Sequence, residues 1–323
     1  MSQSTKQKIT TPVLHPSMDA RTGVVAVLQA YWADAFAQRH KVNNPRWIEP
    51  VHAMRVDTRR IRTCLKRFGK VLDVSMVDRL TEPLHRLNRL LAPVRDGDVL
   101  CKWVRSVVRR TDRSELVPEL EAFERFLRRR QQPARRRLVE WIEAGHLVVI
   151  DAELNEAARR LGRGIDPGVG KPLAPLVRKS VKRQARRIRH LLDGLDTTSD
   201  PERLHDLRRK VRRLRYTLQA FQDLYNGGAR SVIKQLVRCQ DVLGDYQDCI
   251  VHRQAVDDYR QNLHAADGLT DLQRPALDYL DGRCDCAGDS FINRLDRALN
   301  RLGRSVSKKQ LAFLKHPVAP AGA

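Results

Sequence analysis

His52, Arg55, Arg59, Arg62 and Lys66 follow one another at alternating steps of three and four residues, and His205, Arg208, Arg212 and Arg215 repeat the pattern up to Gln219. On a helix such steps stack side chains along one edge. Each set therefore reads as a cationic row headed by a histidine. The chemistry open to such a row is oxyanion binding, because a guanidinium fork grips two oxygens at once. Metal ligation by the histidines would need further ligands nearby, and neither H-x-x-x-H nor H-E-x-x-H occurs. A phosphoacceptor histidine would need a nucleotide loop, and no G-x-x-x-x-G-K-[ST] or G-x-G-x-x-G is present. Cys284-x-Cys286 lacks the second pair of a zinc site. The histidines read as anion contacts or structural anchors, and neither metal nor cofactor is expected.

Like charges one turn apart destabilise a helix by about a few tenths of a kcal/mol per pair. Stacked arginines therefore need acidic partners on another helix or an anionic ligand. Within the two segments the only acids are Asp57 and Asp206. Asp96, Asp98 and Asp248 are the expected partial partners, and three carboxylates cannot neutralise both rows. Two further segments add charge. From Lys171 to His190 there is no acid, and Arg178, Lys182, Arg186 and Arg189 run along one side of the expected helix. Arg125 to Arg137 holds seven arginines and no acid, interrupted by Pro133.

The elements that must position these rows are helices. Leu, Arg, Ala and Glu dominate and alternation is absent. Val51, Met54, Thr58, Ile61, Leu65 and Phe68 form one apolar face beside the first row, and Leu204, Leu207, Val211, Leu214, Leu218 and Phe221 form its counterpart beside the second. The two segments are copies: residues 51–68 match residues 204–221, and residues 91–99 match residues 243–251 in the same order. Breaks at Asn43–Pro45, Gly69, Pro93, Gly145, Gly194–Pro201 and Gly227–Gly228 divide the chain into about eight helices. The expected organisation is a tail over 1–19, a first helical repeat over 20–161, a linker over 162–172, a second repeat over 173–315 and a tail over 316–323. The fold class is all-α, an internal duplication packed about a pseudo-twofold axis.

Composition sharpens the anion reading. The 323 residues carry 61 Lys and Arg against 38 Asp and Glu, a formal net charge of +23, and 47 of the cations are arginine. Such a chain attracts polyanions over long range. No window is apolar enough for a membrane span, and the polar start lacks the apolar stretch of a secretory signal. A soluble, cytoplasmic protein is expected. The six cysteines make no disulfide framework, and Cys64 belongs to an apolar pattern.

The segments V-H-A-M-R-V-D-T-R-R-I-R and L-H-D-L-R-R-K-V-R-R-L-R resemble the repeated H-x-x-[RK]-x-x-x-[RK]-R-[LI]-[RK] signature of the CHAD family, the conserved histidine α-helical domain. A-P-V-R-D-G-D-V and L-G-D-Y-Q-D resemble its second signature, L-G-x-x-R-D-x-D-V. The resemblance covers roughly residues 20 to 315. It implies two four-helix bundles, a basic central cleft or pore, and binding of inorganic polyphosphate through His52, Arg55, Arg59, Arg62, His205, Arg208, Arg212 and Arg215, to which the spacing of the first row adds Lys66. It also carries over Arg178, Lys179, Lys182, Arg183 and Arg186 of the basic helix opening the second bundle. Ala92 stands where the family has glycine and Gln247 where the second copy often has asparagine, and both are expected to concern helix ends. No E-x-E-x-K of a fused triphosphate-tunnel domain occurs, which argues against triphosphatase activity.

The first functional expectation is a non-catalytic polyphosphate-binding module, possible association with polyphosphate granules included. Aromatics are 5% of the chain and none interleaves with the arginine rows, which disfavours the alternative of a nucleic-acid binder. A histidine-dependent enzyme acting on phosphate chains is the third reading. Other polyanions are candidate ligands, and oligomeric state is not legible.

Overall fold

The apolar faces predicted from spacing are the faces that turn inward. Val51, Met54, Thr58, Ile61, Leu65 and Phe68 are buried, and so are Leu204, Leu207, Val211, Leu214, Leu218 and Phe221. Each large side chain so buried contributes about 1.5–3 kcal/mol. The computed structural model describes residues 12–44, 47–162, 170–195, 201–266, 268–284 and 289–317. Among them are ten α-helices and no strand: α1 (Ala20–Phe36), α2 (Glu49–Phe68), α3 (Val74–Val108), α4 (Val117–Glu143), α5 (His146–Gly162), α6 (Leu173–Leu192), α7 (Pro201–Ala220), α8 (Arg230–Ala266), α9 (Gln273–Arg283) and α10 (Asp289–Ser305).

Local chemistry sets the boundaries. The Asp19 carboxylate accepts from the Arg21 and Thr22 amides and starts α1, and Asp73 accepts from the Met76 amide and starts α3. Gly145 at φ 80° separates α4 from α5, and Asn226 and Gly227, at φ 42° and 77°, turn the chain between α7 and α8. The expected eight helices are ten because each half contains five. Pro93 and Pro133, read as breaks, lie inside α3 and α4. A proline removes one helical hydrogen bond. Packing of Leu91 and Val94 around the first and of Ala134 and Leu138 beside the second keeps the helices continuous.

In the first half α1 packs on α2 and α5, and α3 on α2 and α5; in the second, α6 packs on α7 and α10, and α8 on α7 and α10. These two sets share one core and meet where α2 touches α7 and α1 touches α6. The long helices α3 and α8, 35 and 37 residues, run past this core. Their far ends join α4 and α9 around a separate core of Val104, Phe123, Val256, Tyr259 and Leu277. Helices α4 and α9 thus build a third packing region spanning both halves.

The expected tail over 1–19 and linker over 162–172 need correction where they are described. Leu14 is buried, Asp19 and Pro172 form an isolated antiparallel bridge, and the Ala20 amide donates to the Lys171 carbonyl. Residues 12–19 are therefore packed against the start of α6. Residues 1–11, 163–169 and 318–323 of the expected tails and linker lie outside the described residues, as does Cys286. Cys64 is buried in the core. No helix among the described residues is long and apolar enough to cross a membrane.

Candidate functional site

α2 and α7 bring the two predicted rows together. The Phe68 and Phe221 rings meet edge to face with centroids 5.1 Å apart, and Arg59 and Arg212 sit within electrostatic reach nine residues earlier on each helix. The helices therefore run in the same direction. Between them and α3 lies a cleft of about 470 Å³. Six basic side chains line it, Arg59, Arg62, Lys66, Arg67, Arg212 and Arg213, with Thr63, Thr81 and Asn88 as neutral polar groups and no carboxylate.

Crowding of like charge marks the cleft electrostatically. Burial, then the Arg55 and Arg212 guanidiniums, pulls Arg59 down to about 9. It remains charged at neutral pH. Burial lowers Arg62, Arg67, Arg212 and Arg213 as well, and neighbouring arginines add to each. Lys66 is lowered chiefly by Arg213. Every one of these shifts is relieved by an anion between the rows. Arg67 Nε is in addition a buried donor without a hydrogen-bond partner among the described residues.

The histidine ends of the rows differ. Burial, then the Arg95 guanidinium, pulls half-buried His52 down to about 4. His205 is exposed, and its Nδ1 lies 3.0 Å from Gln247 Oε1. Arg55 donates to Asp96 Oδ1 at 2.7 Å and to the Ala92 carbonyl at 3.4 Å. Arg208 takes the corresponding place against Gly244, within electrostatic reach of Asp248. Ala92 and Gln247 thus lie inside α3 and α8 and touch the rows, and do not concern helix ends as expected.

Several expected residues fall elsewhere. Asp98 is not a partner of the rows: it accepts from Arg135 at 2.9 Å and from Gln131 at 2.7 Å in the α3/α4 packing. Arg215 leaves the cleft, stacks 5.1 Å over the Tyr216 ring and approaches Asp241 of α8. On α6 the side expected to matter ran through Arg178, Lys182, Arg186 and Arg189. Arg178 lies near Tyr225, and Arg189 donates to the Val306 carbonyl. It is Arg183 and Arg187 that reach Arg67 of the cleft. Lys179 is one turn before Arg183 on the same edge, and Lys179, Lys182 and Arg186 are exposed.

Arg67, Arg187 and Arg213 were not among the predicted site residues. Arg213 matches Arg60 in the repeat, yet the two point to different places. Arg60 donates to buried Asp57 at 2.7 Å and lies over the Tyr31 ring. Lys210 stands where Asp57 stands in the first copy, so Arg213 has no inward partner of this kind and lines the cleft. The one-residue difference between Asp57 and Lys210 was the available signal.

The sequence model of the CHAD domain matches residues 26–257. This chain belongs to the CHAD family. The CHAD domain of the plant Ricinus communis, solved by crystallography, superposes with a TM-score of 0.69 at 20% identity, covering 91% of this chain and 96% of that one. PptA from Streptomyces chartreusis aligns with a TM-score of 0.52 at 15% identity over 89% of this chain and 99% of that chain. Both likenesses concern the fold. The uncharacterized proteins MT2285 and Rv2226 of Mycobacterium tuberculosis are each 29% identical over 280 residues, which is 78% of this CHAD chain and 49% of the relative. The chain spans about half the length of these curated relatives.

Proposed function

We propose that this CHAD protein binds inorganic polyphosphate, without turning it over, in the cleft between α2, α3 and α7. The observation that carries the reading is six basic side chains and no carboxylate around about 470 Å³. A linear phosphate chain places charge on every unit and offers no bases. It is matched by rows of guanidinium groups at helical spacing and gains nothing from aromatic platforms. Tyr216 is the one aromatic ring in the lining, and Arg60 and Arg215 lie at 5.8 and 5.1 Å from its centroid, which leaves it poorly placed to stack a base. Binding without catalysis is supported by the cleft lining, which holds no histidine, cysteine or carboxylate to act as nucleophile or general base beside a bound phosphate chain.

The same reading makes the two matching sets, α1/α2/α3/α5 and α6/α7/α8/α10, products of one duplication related by a pseudo-twofold between α2 and α7. It has the chain acting in the cytoplasm, where storage granules concentrate polyphosphate. Competition tests the ligand class. Long-chain polyphosphate bound to the protein is challenged with duplex DNA at equal charge concentration, and polyphosphate is expected to stay bound. Displacement by DNA overturns the reading in favour of a nucleic-acid binder.

A further inference from the structure

α10 carries Arg294, Arg297, Arg301 and Arg304 at steps of three, four and three, a row about 15 Å long on one edge. Facing it, α8 presents Arg238 and Asp241. Arg238, Arg294, Arg297 and Arg301 line a groove of about 320 Å³ with Asp241 as its one carboxylate. Asp245 pairs with Arg294 from outside the groove, and Arg297 donates through Nε to the Asn293 carbonyl of its own helix at 3.0 Å. Arg238, Arg297 and Arg301 make no ion pair among the described residues.

The first half shows what an ordinary charged groove looks like in this chain. Between α3 and α5, a cavity of about 330 Å³ sets Arg21, Arg79 and Arg160 against Asp73, Glu153 and Glu156. It is bridged by the pairs Arg79–Glu153 and Arg160–Glu156, both at 2.8 Å. Signs are mixed there and charges are paired. Between α8 and α10 one carboxylate faces four arginines, and of these only Arg294 has an ion-pair partner among the described residues. One side chain of α7 lies between the groove and the cleft. Arg215, the last arginine of the α7 row, stacks on Tyr216 of the cleft wall, and its guanidinium acts on Asp241 of the groove.

We propose that the α8/α10 groove is a second anion site, which holds the continuation of a polyphosphate chain whose other part fills the central cleft. This rests on the reading of the cleft as a polyphosphate site. A polymer with uniform charge has no fixed end, so a row beyond the cleft adds contacts for long chains and none for short ones. Discrimination by chain length follows from the geometry.

Binding of tripolyphosphate and of long-chain polyphosphate is measured for the full chain and for Arg297→Glu/Arg301→Glu. Arg109→Glu/Arg110→Glu, at the far end of α3, controls for the change in net charge. The groove variant is expected to lose at least about tenfold in long-chain affinity, to hold tripolyphosphate within about twofold, and to keep its helical circular dichroism. The milder Arg297→Gln/Arg301→Gln should move the same way by less. Unchanged long-chain affinity in both groove variants overturns the groove and leaves the cleft reading standing. So does an equal loss for both ligands, or an equal loss in the control. If the unmodified protein binds neither ligand, the cleft reading fails and the groove falls with it.

Discussion

Arg59 stands at the centre of the cleft, and its charge is held there against its surroundings. Burial, then the Arg55 and Arg212 guanidiniums, pulls its pKa well below the ordinary arginine range, to about 9. At about 1.4 kcal/mol per pH unit, a shift in this direction disfavours the charged form by on the order of a few kcal/mol. Arg59→Met keeps an unbranched apolar stem of similar reach and removes the charge. Lost contacts of the guanidinium offset part of the relief, so the unliganded protein should gain about 1–2 kcal/mol. The same change should weaken polyphosphate binding by about tenfold or more. Urea unfolding followed by far-ultraviolet circular dichroism, with and without polyphosphate, reads both effects. The midpoint should rise without the anion, and the further rise on adding polyphosphate should shrink. A variant that unfolds at lower urea than the parent in the absence of anion refutes the reasoning, because the cleft would then not be strained by its own charge.

Two further outcomes follow from the electrostatics. His52 takes its proton near pH 4 in the fold and near 6.5 when unfolded, so between these values the unfolded state binds more protons and stability falls as pH falls. The loss should reach about 2 kcal/mol by pH 5, and His52→Gln should flatten that part of the stability profile; identical profiles refute it. His252, also pulled down to about 4 by burial, adds a slope of the same sign. Asp98→Ala strands the Arg135 guanidinium, whose side chain is 9% exposed, and should cost about 3–5 kcal/mol of stability while leaving polyphosphate affinity within about twofold. A loss under about 1 kcal/mol would mean the pair is not buried as described.

The helical class, the apolar faces of α2 and α7 and the rows above them were legible because each depends on periodicity within one element. What was not legible depends on contacts between elements. Pro93 and Pro133 read as breaks because a proline's penalty is local, whereas the packing that outweighs it is tertiary. On α6 the spacing defines two adjacent basic edges equally well, and it is the approach of Arg67 and Arg213 that selects Arg183 and Arg187. Asp98 and Asp96 are two residues apart, so they point to different sides of α3, one to Arg135 and one to Arg55. Arg60 and Arg213 are equivalent by repeat and opposite in role, because Asp57 holds the first inward and Lys210 cannot hold the second.

The central claim is that the paired rows on α2 and α7 form one anion site. Direct titration of long-chain polyphosphate into Arg59→Glu/Arg212→Glu tests it, with helical content checked beside the unmodified protein. The account predicts that binding is abolished while the helices remain. An affinity within about threefold of the parent, about 0.65 kcal/mol, would show that the cleft is not where the anion binds.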